Sequence, residues 1–248
     1  AYLVWFVTSV HAQSAKVSIL VDLDPASAAQ TVIVESIAAD QQGRLYVCDR
    51  ITGNILQVDP KAPKPVVMGR VEARQVGDKK VMAGASGIVF NQQGDLFITS
   101  GPFREVLRIK GADLNQEKPG TAQTFATGTE GANGIAFDRQ GNLYVSGGRN
   151  GKIYRAGPAG GAVELFAQIE LYTRTLPDGK TQQAIPANGL TFDAQGTTLY
   201  VADTARGAIW KVAVGADGKA GKPVLLAQSP LLEGADGPAF DPTGKLWV

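Results

Sequence analysis

The stretch Asn133-Gly-Ile-Ala-Phe-Asp-Arg-Gln-Gly141 is one of five related copies in a sequence of 248 residues. The other copies begin at Glu35, Ser86, Asn188 and Asp236, and each ends on a glycine eight residues later. The final glycines are 47 to 55 residues apart. Three further short apolar segments, separated by Gly, Asp, Asn or Pro, follow each of the first four copies. A repeat of about 50 residues with four strands in each unit is typical of a β-propeller.

The number of repeats predicts how many blades the ring has. Four repeats are complete, and a fifth ends within its second strand at Val248. Residues 16–21 resemble a fourth strand that lacks its preceding three, and one terminus of a closed propeller commonly completes the blade begun by the other. We therefore predict an all-β, six-bladed β-propeller truncated at the C-terminus, with about five blades present over residues 13–248. A five-bladed ring is the alternative count.

Residues 1–12 differ in character from the rest of the chain. An apolar run, Tyr2 to Val7, precedes small residues at Val10 and Ala12, as in a secretory cleavage site. The run is shorter than the roughly 20 apolar residues that span a bilayer. We interpret it as the remnant of a signal peptide, which predicts export to the periplasm or the extracellular space and no membrane span in the mature chain. A buried first strand is the alternative.

Composition narrows the classes of function. Lys and Arg number 24 against 23 Asp and Glu, and they are dispersed, so nucleic-acid binding has no electrostatic support. Cys48 is the single cysteine and precludes an intrachain disulfide; it is expected to be a small core residue. The sequence contains no Ser/His/Asp set, phosphate-binding loop or cysteine pair. A small-molecule substrate is the expected partner, and the oligomeric state is left open.

The first residue of each copy carries a side-chain oxygen. First strands line the channel of a propeller, so these residues are expected to form a ring at one mouth. The ring, called here the mouth column, consists of Glu35, Ser86, Asn133, Asn188 and Asp236. Two carboxylates with amide and hydroxyl oxygens suit a hard divalent cation, Ca²⁺ above all, whereas Zn²⁺ prefers His or Cys. The alternative is that Asn-Gly and Asp-Gly serve only as turn dipeptides.

Three other sets of residues flank the mouth column. The second strands end at Asp49, Ser100, Ser146 and Asp203, which we interpret as loop caps with outer-shell contacts as the alternative. Turn formation is the role predicted for Asp40, Asn91, Asp138, Asp193 and Asp241. Two long connections, residues 69–85 and 168–187, each predict a hairpin flap over the mouth.

The motifs resemble a known family. Asn133-Gly-Ile-Ala-Phe-Asp, Asn188-Gly-Leu-Thr-Phe-Asp and Asp236-Gly-Pro-Ala-Phe-Asp are similar to those of the senescence marker protein/gluconolactonase family, over roughly residues 16–248. Glu35, ahead of Gly43-Arg-Leu-Tyr-Val, looks like the glutamate of that family's first blade. The resemblance implies a six-bladed propeller with one divalent cation in its channel.

The resemblance also implies residue roles. Glu35, Asn188 and Asp236 would bind the metal, and Asp236 would double as general base. Asn133 would contact substrate or metal, and Ser86 is expected to face the channel beside the substrate. Gluconolactone-acting members have an arginine two residues before the Asn133 position, where this sequence has Gly131. This departure argues against a sugar-acid lactone as substrate.

Three functions are consistent with these patterns. The first is an exported metal-dependent lactonase or esterase with Ca²⁺, or with Mn²⁺, Mg²⁺ or Zn²⁺ in its place. The second is a non-catalytic propeller that binds a ligand or partner at its mouth and holds a structural cation. The third is a scaffold of the NHL-repeat kind, which predicts no metal.

Overall fold

The fold is all-β in the computed structural model, which describes residues 18–23, 32–175, 178–183 and 185–248. Short 3-10 helices occur at Gly111–Asp113 and Pro230–Leu232. Among the described residues, no helix has the length and apolar character needed to cross a membrane.

The N-terminal predictions have different outcomes. Residues 1–12 lie outside the described residues, so the signal peptide and export stay predictions. The strand predicted at 16–21 is wrong for its described part, because residues 18–21 are not in a strand and pair with no strand among the described residues.

The strands group into repeating antiparallel sheets. The first sheet contains β1 (Ile37–Ala39), β2 (Leu45–Cys48), β3 (Asn54–Asp59) and β4 (Ala62–Arg70), and the hairpin β5 (Arg74–Val76) and β6 (Lys79–Val81) follows it. The second sheet contains β7 (Ala85–Phe90), β8 (Leu96–Ser100) and β9 (Glu105–Ile109), and the next two strands are β10 (Gly120–Thr121) and β11 (Gln123–Thr127). Strand β10 joins the edge of the first sheet beside β4, whereas β11 belongs to the second sheet.

The remaining strands repeat this arrangement. The third sheet contains β12 (Ile135–Phe137), β13 (Leu143–Ser146) and β14 (Lys152–Ala156); β15 (Gly161–Ala162) joins β11, and β16 (Glu164–Gln168) closes the third sheet. The second hairpin is β17 (Thr173–Thr175) with β18 (Thr181–Gln183). The fourth sheet contains β19 (Leu190–Phe192), β20 (Thr198–Asp203), β21 (Ala208–Ala213) and β22 (Val224–Gln228), and β23 (Ala239–Phe240) pairs with β24 (Leu246–Trp247). The five sheets are called units one to five below.

Adjacent units meet through their first strands. Strands β1, β7, β12, β19 and β23 are neighbours in that order, so the starts of the five sequence copies lie along one wall. The hairpins predicted within residues 69–85 and 168–187 are confirmed as two-stranded pairs, whereas their position over the mouth stays a prediction.

Edge-to-face aromatic pairs join each unit to the next. The second-strand aromatic of one unit meets the motif phenylalanine of the following unit, with ring centroids 4.9 to 5.0 Å apart. The pairs are Tyr46–Phe90, Phe97–Phe137, Tyr144–Phe192 and Tyr200–Phe240. Each pair contributes about 0.5–1.5 kcal/mol beyond its buried area. The motif phenylalanine is therefore a packing residue between units.

The far end of each first strand is a tight turn, as predicted. Asp138 accepts hydrogen bonds from the backbone N–H groups of Gln140 (2.9 Å) and Asn142 (2.8 Å). Equivalent turn bonds are made by Asp40, Asn91, Asp193 and Asp241. The final glycine of each copy has a positive φ, 81° at Gly141, which explains why the ninth position is invariant among the copies.

Candidate metal and substrate site

Four members of the mouth column line a single cavity of about 370 Å³. They are Glu35, Ser86, Asn133 and Asp236, contributed by units one, two, three and five. The fifth member, Asn188, is 5% exposed, and the next residue, Gly189, lines the same cavity. Residues as far apart in the sequence as Glu35 and Asp236 therefore meet at the entry to the first strands.

The glycine after each column residue has a packing role. A Cβ atom on Gly87, Gly134 or Gly189 would collide with the carbonyl oxygen of the next column residue, at Asn133, Asn188 or Asp236 respectively. These three glycines do not have positive φ angles, so the dipeptides are not turns there. Close approach of neighbouring first strands accounts for the glycine, which leaves the column side chain free to serve the cavity.

Hydroxyl groups fasten two of these close approaches. Ser146 Oγ accepts a hydrogen bond from the Gly134 N–H (2.8 Å) and donates to the carbonyl oxygen of Asn188. Thr99 Oγ1 makes the same bridge between the Gly87 N–H and the Asn133 carbonyl. Ala202 occupies this position in unit four, where the Gly189 N–H donates directly to the Asp236 carbonyl oxygen (2.9 Å). The column backbone is thus held across units two to five.

The residues at the ends of the second strands are caps, with one exception. Asp49 accepts hydrogen bonds from the backbone of Ile51 (3.0 Å) and Thr52 (3.2 Å), and Ser100 and Asp203 cap their own loops similarly. The cap interpretation of these three is confirmed. It is wrong for Ser146, which precedes the cap position by one residue and bridges two units instead.

Asn188 presents an oxygen that has no partner. Its Nδ2 donates to Thr204 Oγ1 (2.8 Å), and that hydroxyl donates onward to the carbonyl oxygen of Ala235 (2.8 Å). This chain fixes the orientation of the amide, and Asn188 Oδ1 is buried without a hydrogen-bond partner among the described residues. Leaving a buried acceptor unpaired costs about 1–3 kcal/mol. Such a group is explained when a ligand or ion satisfies it.

Asp236 accepts a backbone hydrogen bond from Gly189, the residue after Asn188, and its carboxylate also lacks a partner among the described residues. No hydrogen bond or ion pair to its carboxylate occurs within the described ranges. Partial desolvation by the cavity wall raises the pKa of the Asp236 carboxyl above its ordinary value, although the residue is exposed at the open side of the cavity. Its charged form is thus less favourable than that of a fully solvated carboxylate, and a nearby cation would offset this difference.

Glu35, the other carboxylate, is compensated by the protein. Its Oε2 accepts from Nη1 of Arg50, which lies in the loop after β2. Both side chains are partly exposed. Arg50 and Thr204 occupy the same position of the repeat, directly after the capping aspartates Asp49 and Asp203. In both units this position contacts the column residue of its own unit.

Asn133 and Ser86 are less constrained. Gly148 occupies the repeat position of Arg50 and Thr204, so no side chain there reaches the Asn133 amide, which makes no hydrogen bond among the described residues. Ser86 Oγ has only a long contact with the carbonyl oxygen of Gly84 (3.4 Å). Both side chains line the cavity and can bond to a bound molecule.

Arginines anchor both flaps to the units beneath them. Arg74 of the first flap pairs with Glu105 (2.9 Å), and its guanidinium lies 4.3 Å from the centroid of the Phe103 ring. In the second flap region, Arg206 of unit four pairs with Glu170 (3.2 Å) and lies over Tyr172. The bases of the flaps are therefore fixed next to the mouth.

The donor set is compatible with a cation bound mainly by neutral oxygens. No group of three or more His, Cys, Asp or Glu side chains that could hold a metal occurs in the described part of the chain. The cavity supplies two carboxylates and several amide and hydroxyl oxygens, which is the chemistry of hard cations. Burial raises the pKa of the Cys48 thiol to about 12, so it is not a thiolate ligand.

Solved structures with similar folds are propeller-type proteins. A chain of a nidogen/laminin complex matches with a TM-score of 0.57 and 20% identity over 84% of this chain and 67% of that one. Virginiamycin B lyase from Staphylococcus aureus matches with a TM-score of 0.56 and 14% identity, over 88% of this chain and 63% of that one. Luciferin-regenerating enzyme matches with a TM-score of 0.56 and 17% identity, over 88% of this chain and 68% of that one. The propeller-type fold is therefore shown, whereas six blades and truncation stay predictions.

Sequence comparison identifies a family over part of the chain. No curated protein gives a match to the sequence. A family model does match residues 171–248, a segment that includes Asn188 and Asp236 but neither Glu35 nor Asn133. Within residues 171–248 the family resemblance predicted from the motifs is confirmed, since this segment matches the model described as the SMP-30/Gluconolactonase/LRE-like region.

Proposed function

We propose that this protein is a divalent-metal-dependent hydrolase that opens a lactone or cleaves an ester at the mouth of the propeller. The observation that carries the proposal is the convergence of four mouth-column residues on one cavity, together with the buried, unpartnered Oδ1 of Asn188, the residue before the cavity-lining Gly189. The family match over residues 171–248 gives independent support. The chain spans 63–68% of the length of these similar solved structures.

Glu35, Asn188 and Asp236 would hold the cation. Asn188 Oδ1 is oriented by Thr204 and lacks a partner, and a cation would offset the partial desolvation of the Asp236 carboxylate. Oxygen donors favour Ca²⁺, with Mn²⁺, Mg²⁺ or Zn²⁺ as alternatives. When bound, the cation would polarise the substrate carbonyl and stabilise the oxyanion that develops there.

The remaining steps belong to side chains of this protein. The Asp236 carboxylate would accept a proton from the attacking water, and the partial desolvation that raises the pKa of its carboxyl above the ordinary value makes it a stronger base. The Asn133 amide would donate a hydrogen bond to the substrate, and Ser86 would contact it from unit two. The two flaps, fixed by Arg74 and Arg206, would limit the access of bulk water.

The substrate is not expected to be a sugar-acid lactone. Gly131 has a φ of 68°, and a Cβ atom there would lie 2.8 Å from the carbonyl oxygen of Gly147. An arginine at this position would require a different local backbone. The site thus differs from that of the gluconolactone-acting members in conformation as well as in residue type, which favours a less polar lactone or ester.

Hydrolysis of a panel of lactones and esters by the full-length protein tests this function. Activity should disappear with chelator and return with Ca²⁺ or Mn²⁺. Asp236→Asn should lower kcat by about 10²–10⁴-fold, whereas Asp217→Asn, in an exposed turn of unit four, should leave it unchanged. Equal activity with and without chelator would contradict the metal mechanism.

A binding module is the second candidate, since the unpartnered groups of Asn188 and Asp236 suit a structural cation equally well. A Ca²⁺-raised melting temperature with no turnover of any ester or lactone would favour it.

A further inference from the structure

The two carboxylates of the mouth are treated differently by the protein. Asp236 has no partner among the described residues, whereas Glu35 is paired with the guanidinium of Arg50. A carboxylate oxygen that accepts from a guanidinium has fewer lone pairs for a cation. The Arg50 charge would also repel any cation that approaches Glu35.

The Arg50–Glu35 pair is built into the backbone of unit one. The Arg50 N–H donates to the carbonyl oxygen of Ile33 (2.8 Å), and the Ile33 N–H donates to Oδ1 of Asp49 (3.1 Å). Asp49 also caps the loop that carries Arg50. The segment before Glu35 and the loop bearing Arg50 are therefore tied together on both sides, so the two side chains face each other through fixed backbone.

We propose that Arg50 is an internal counterion that competes with the divalent cation for Glu35. The inference rests on the proposed function, because it takes the mouth to be a cation site. The cation binds first at the half of the mouth formed by Asn188 and Asp236, whose oxygens are unpartnered. Glu35 joins as a ligand only when its Oε2 leaves Arg50, so the intrinsic affinity of the mouth is reduced by the free energy of the ion pair.

This role makes Arg50 a residue that sets cation affinity, distinct from a residue that orients a ligand. An orienting partner, such as Thr204 for Asn188, holds a ligand in its binding position, and its loss weakens binding. A competing partner holds the ligand away from the cation, and its loss strengthens binding. The direction of the change in affinity therefore separates the two roles.

Titration of the full-length, chelator-treated protein with CaCl₂ alone, followed by calorimetry, tests the inference without substrate or turnover. Arg50→Gln should lower the Kd for Ca²⁺ at least about tenfold, which corresponds to about 1.4 kcal/mol. Arg50→Lys, which keeps the charge but not the forked geometry, should fall between Arg50→Gln and the wild type.

Arg44→Gln is the matched control. Arg44 pairs with Asp40 (2.6 Å) in the same unit, but at the opposite end of β1, so its loss should leave the Kd unchanged. In a protein that already carries Glu35→Gln, Arg50→Gln should not increase the affinity for Ca²⁺ further, because the carboxylate for which Arg50 and the cation compete has been removed.

An Arg50→Gln protein that binds Ca²⁺ as weakly as Arg44→Gln, or more weakly, would overturn the competition and leave the cation site intact. Absence of Ca²⁺ binding in every variant would instead overturn the cation site and this inference together.

Discussion

The mouth of the propeller has two halves that differ in how their polar groups are satisfied. In the half formed by units four and five, Asn188 is oriented by Thr204, and its Oδ1 and the Asp236 carboxylate lack partners. In the half formed by units one and two, Glu35 is paired with Arg50, and Ser86 has only a weak contact.

The two halves differ in whether their polar side chains are available to a ligand or already paired within the protein. A buried unpaired oxygen such as Asn188 Oδ1 is costly in a folded protein, and it persists where a bound species offsets that cost. The exposed Asp236 carboxylate is partly solvated but has no protein partner that a cation would have to displace. A paired carboxylate is stable by itself and must exchange partners before it can bind a cation. Asn188 and Asp236 are therefore expected to dominate cation binding, with a smaller net contribution from Glu35.

Asp236→Asn should have the largest effect on this comparison. At a Ca²⁺ concentration of 100 times Kd, the wild type gains about 2.7 kcal/mol of stability, and the variant should lose nearly all of it. Glu35→Gln should lose less of this stabilisation, because breaking the ion pair with Arg50 offsets part of the interaction between Glu35 and the cation. Thermal unfolding with and without Ca²⁺ measures both; equal losses would remove the distinction between the halves.

The pH dependence of the free energy of unfolding of the metal-free protein also tests the state of Asp236. The folded-state pKa of Asp236 lies above its unfolded-state value. Its ionisation therefore lowers the stability of the wild type as the pH rises from about 4 through the folded-state pKa. Metal-free Asp236→Asn should lack this loss and be at least as stable as the wild type at neutral pH. A variant less stable than the wild type without metal would contradict the desolvated, uncompensated state of Asp236.

Gly189→Ala should have the next largest effect. Its Cβ would collide with the Asp236 carbonyl oxygen and crowd Gly237 and Pro238, which separates units four and five. A loss of about 1–3 kcal/mol in the free energy of unfolding is expected. Gly237→Ala is the control, because Gly237 also follows a column residue but has no heavy atom within 4 Å of its Cβ position. Chemical denaturation compares the two, and equal losses would show that interstrand approach is not the constraint.

The features that recur in every repeat could be predicted from the sequence, whereas the side-chain contacts that differ from one repeat to the next could not. The mouth column was visible because five copies align on their glycines, and the meeting of four of its side chains at one cavity follows from the propeller-type fold. Arg50 and Thr204 share one repeat position, yet one is a cation and the other a hydroxyl, and glycines occupy that position in units two and three. Their partners depend on side-chain orientation, which periodicity does not encode.

Alignment to the second-strand aromatic would have corrected one prediction. Counted from Tyr144, Ser146 corresponds to Thr99 and not to Ser100, which places it among the bridging hydroxyls. The strand predicted at 16–21 failed for a different reason. Apolar alternation indicates that a segment can pair, but the pairing itself requires a neighbouring strand, and residues 18–21 have none among the described residues.

Thr204→Val should weaken Ca²⁺ binding by about 10–100-fold, the usual cost of losing a residue that orients a metal ligand. Valine keeps the shape but removes the hydroxyl that accepts from Asn188 Nδ2 and donates to the Ala235 carbonyl. Thr204→Ser keeps both hydrogen bonds and should bind nearly as the wild type. Calorimetric titration measures the Kd, and equal affinities for the valine and serine variants would show that Asn188 is oriented by something else.

Ser86→Ala should have the smallest effect, and it tests the half of the mouth formed by units one and two. Ser86 Oγ has only the 3.4 Å contact with the Gly84 carbonyl, so its loss should change the free energy of unfolding by less than about 0.5 kcal/mol. Ca²⁺ affinity should also stay unchanged, since the hydroxyl belongs to the half that binds last. If Ser86 contacts substrate as proposed, KM should rise with little change in the cation requirement. A large loss of Ca²⁺ affinity would instead place Ser86 among the cation ligands, and the two halves of the mouth would then share the ion equally.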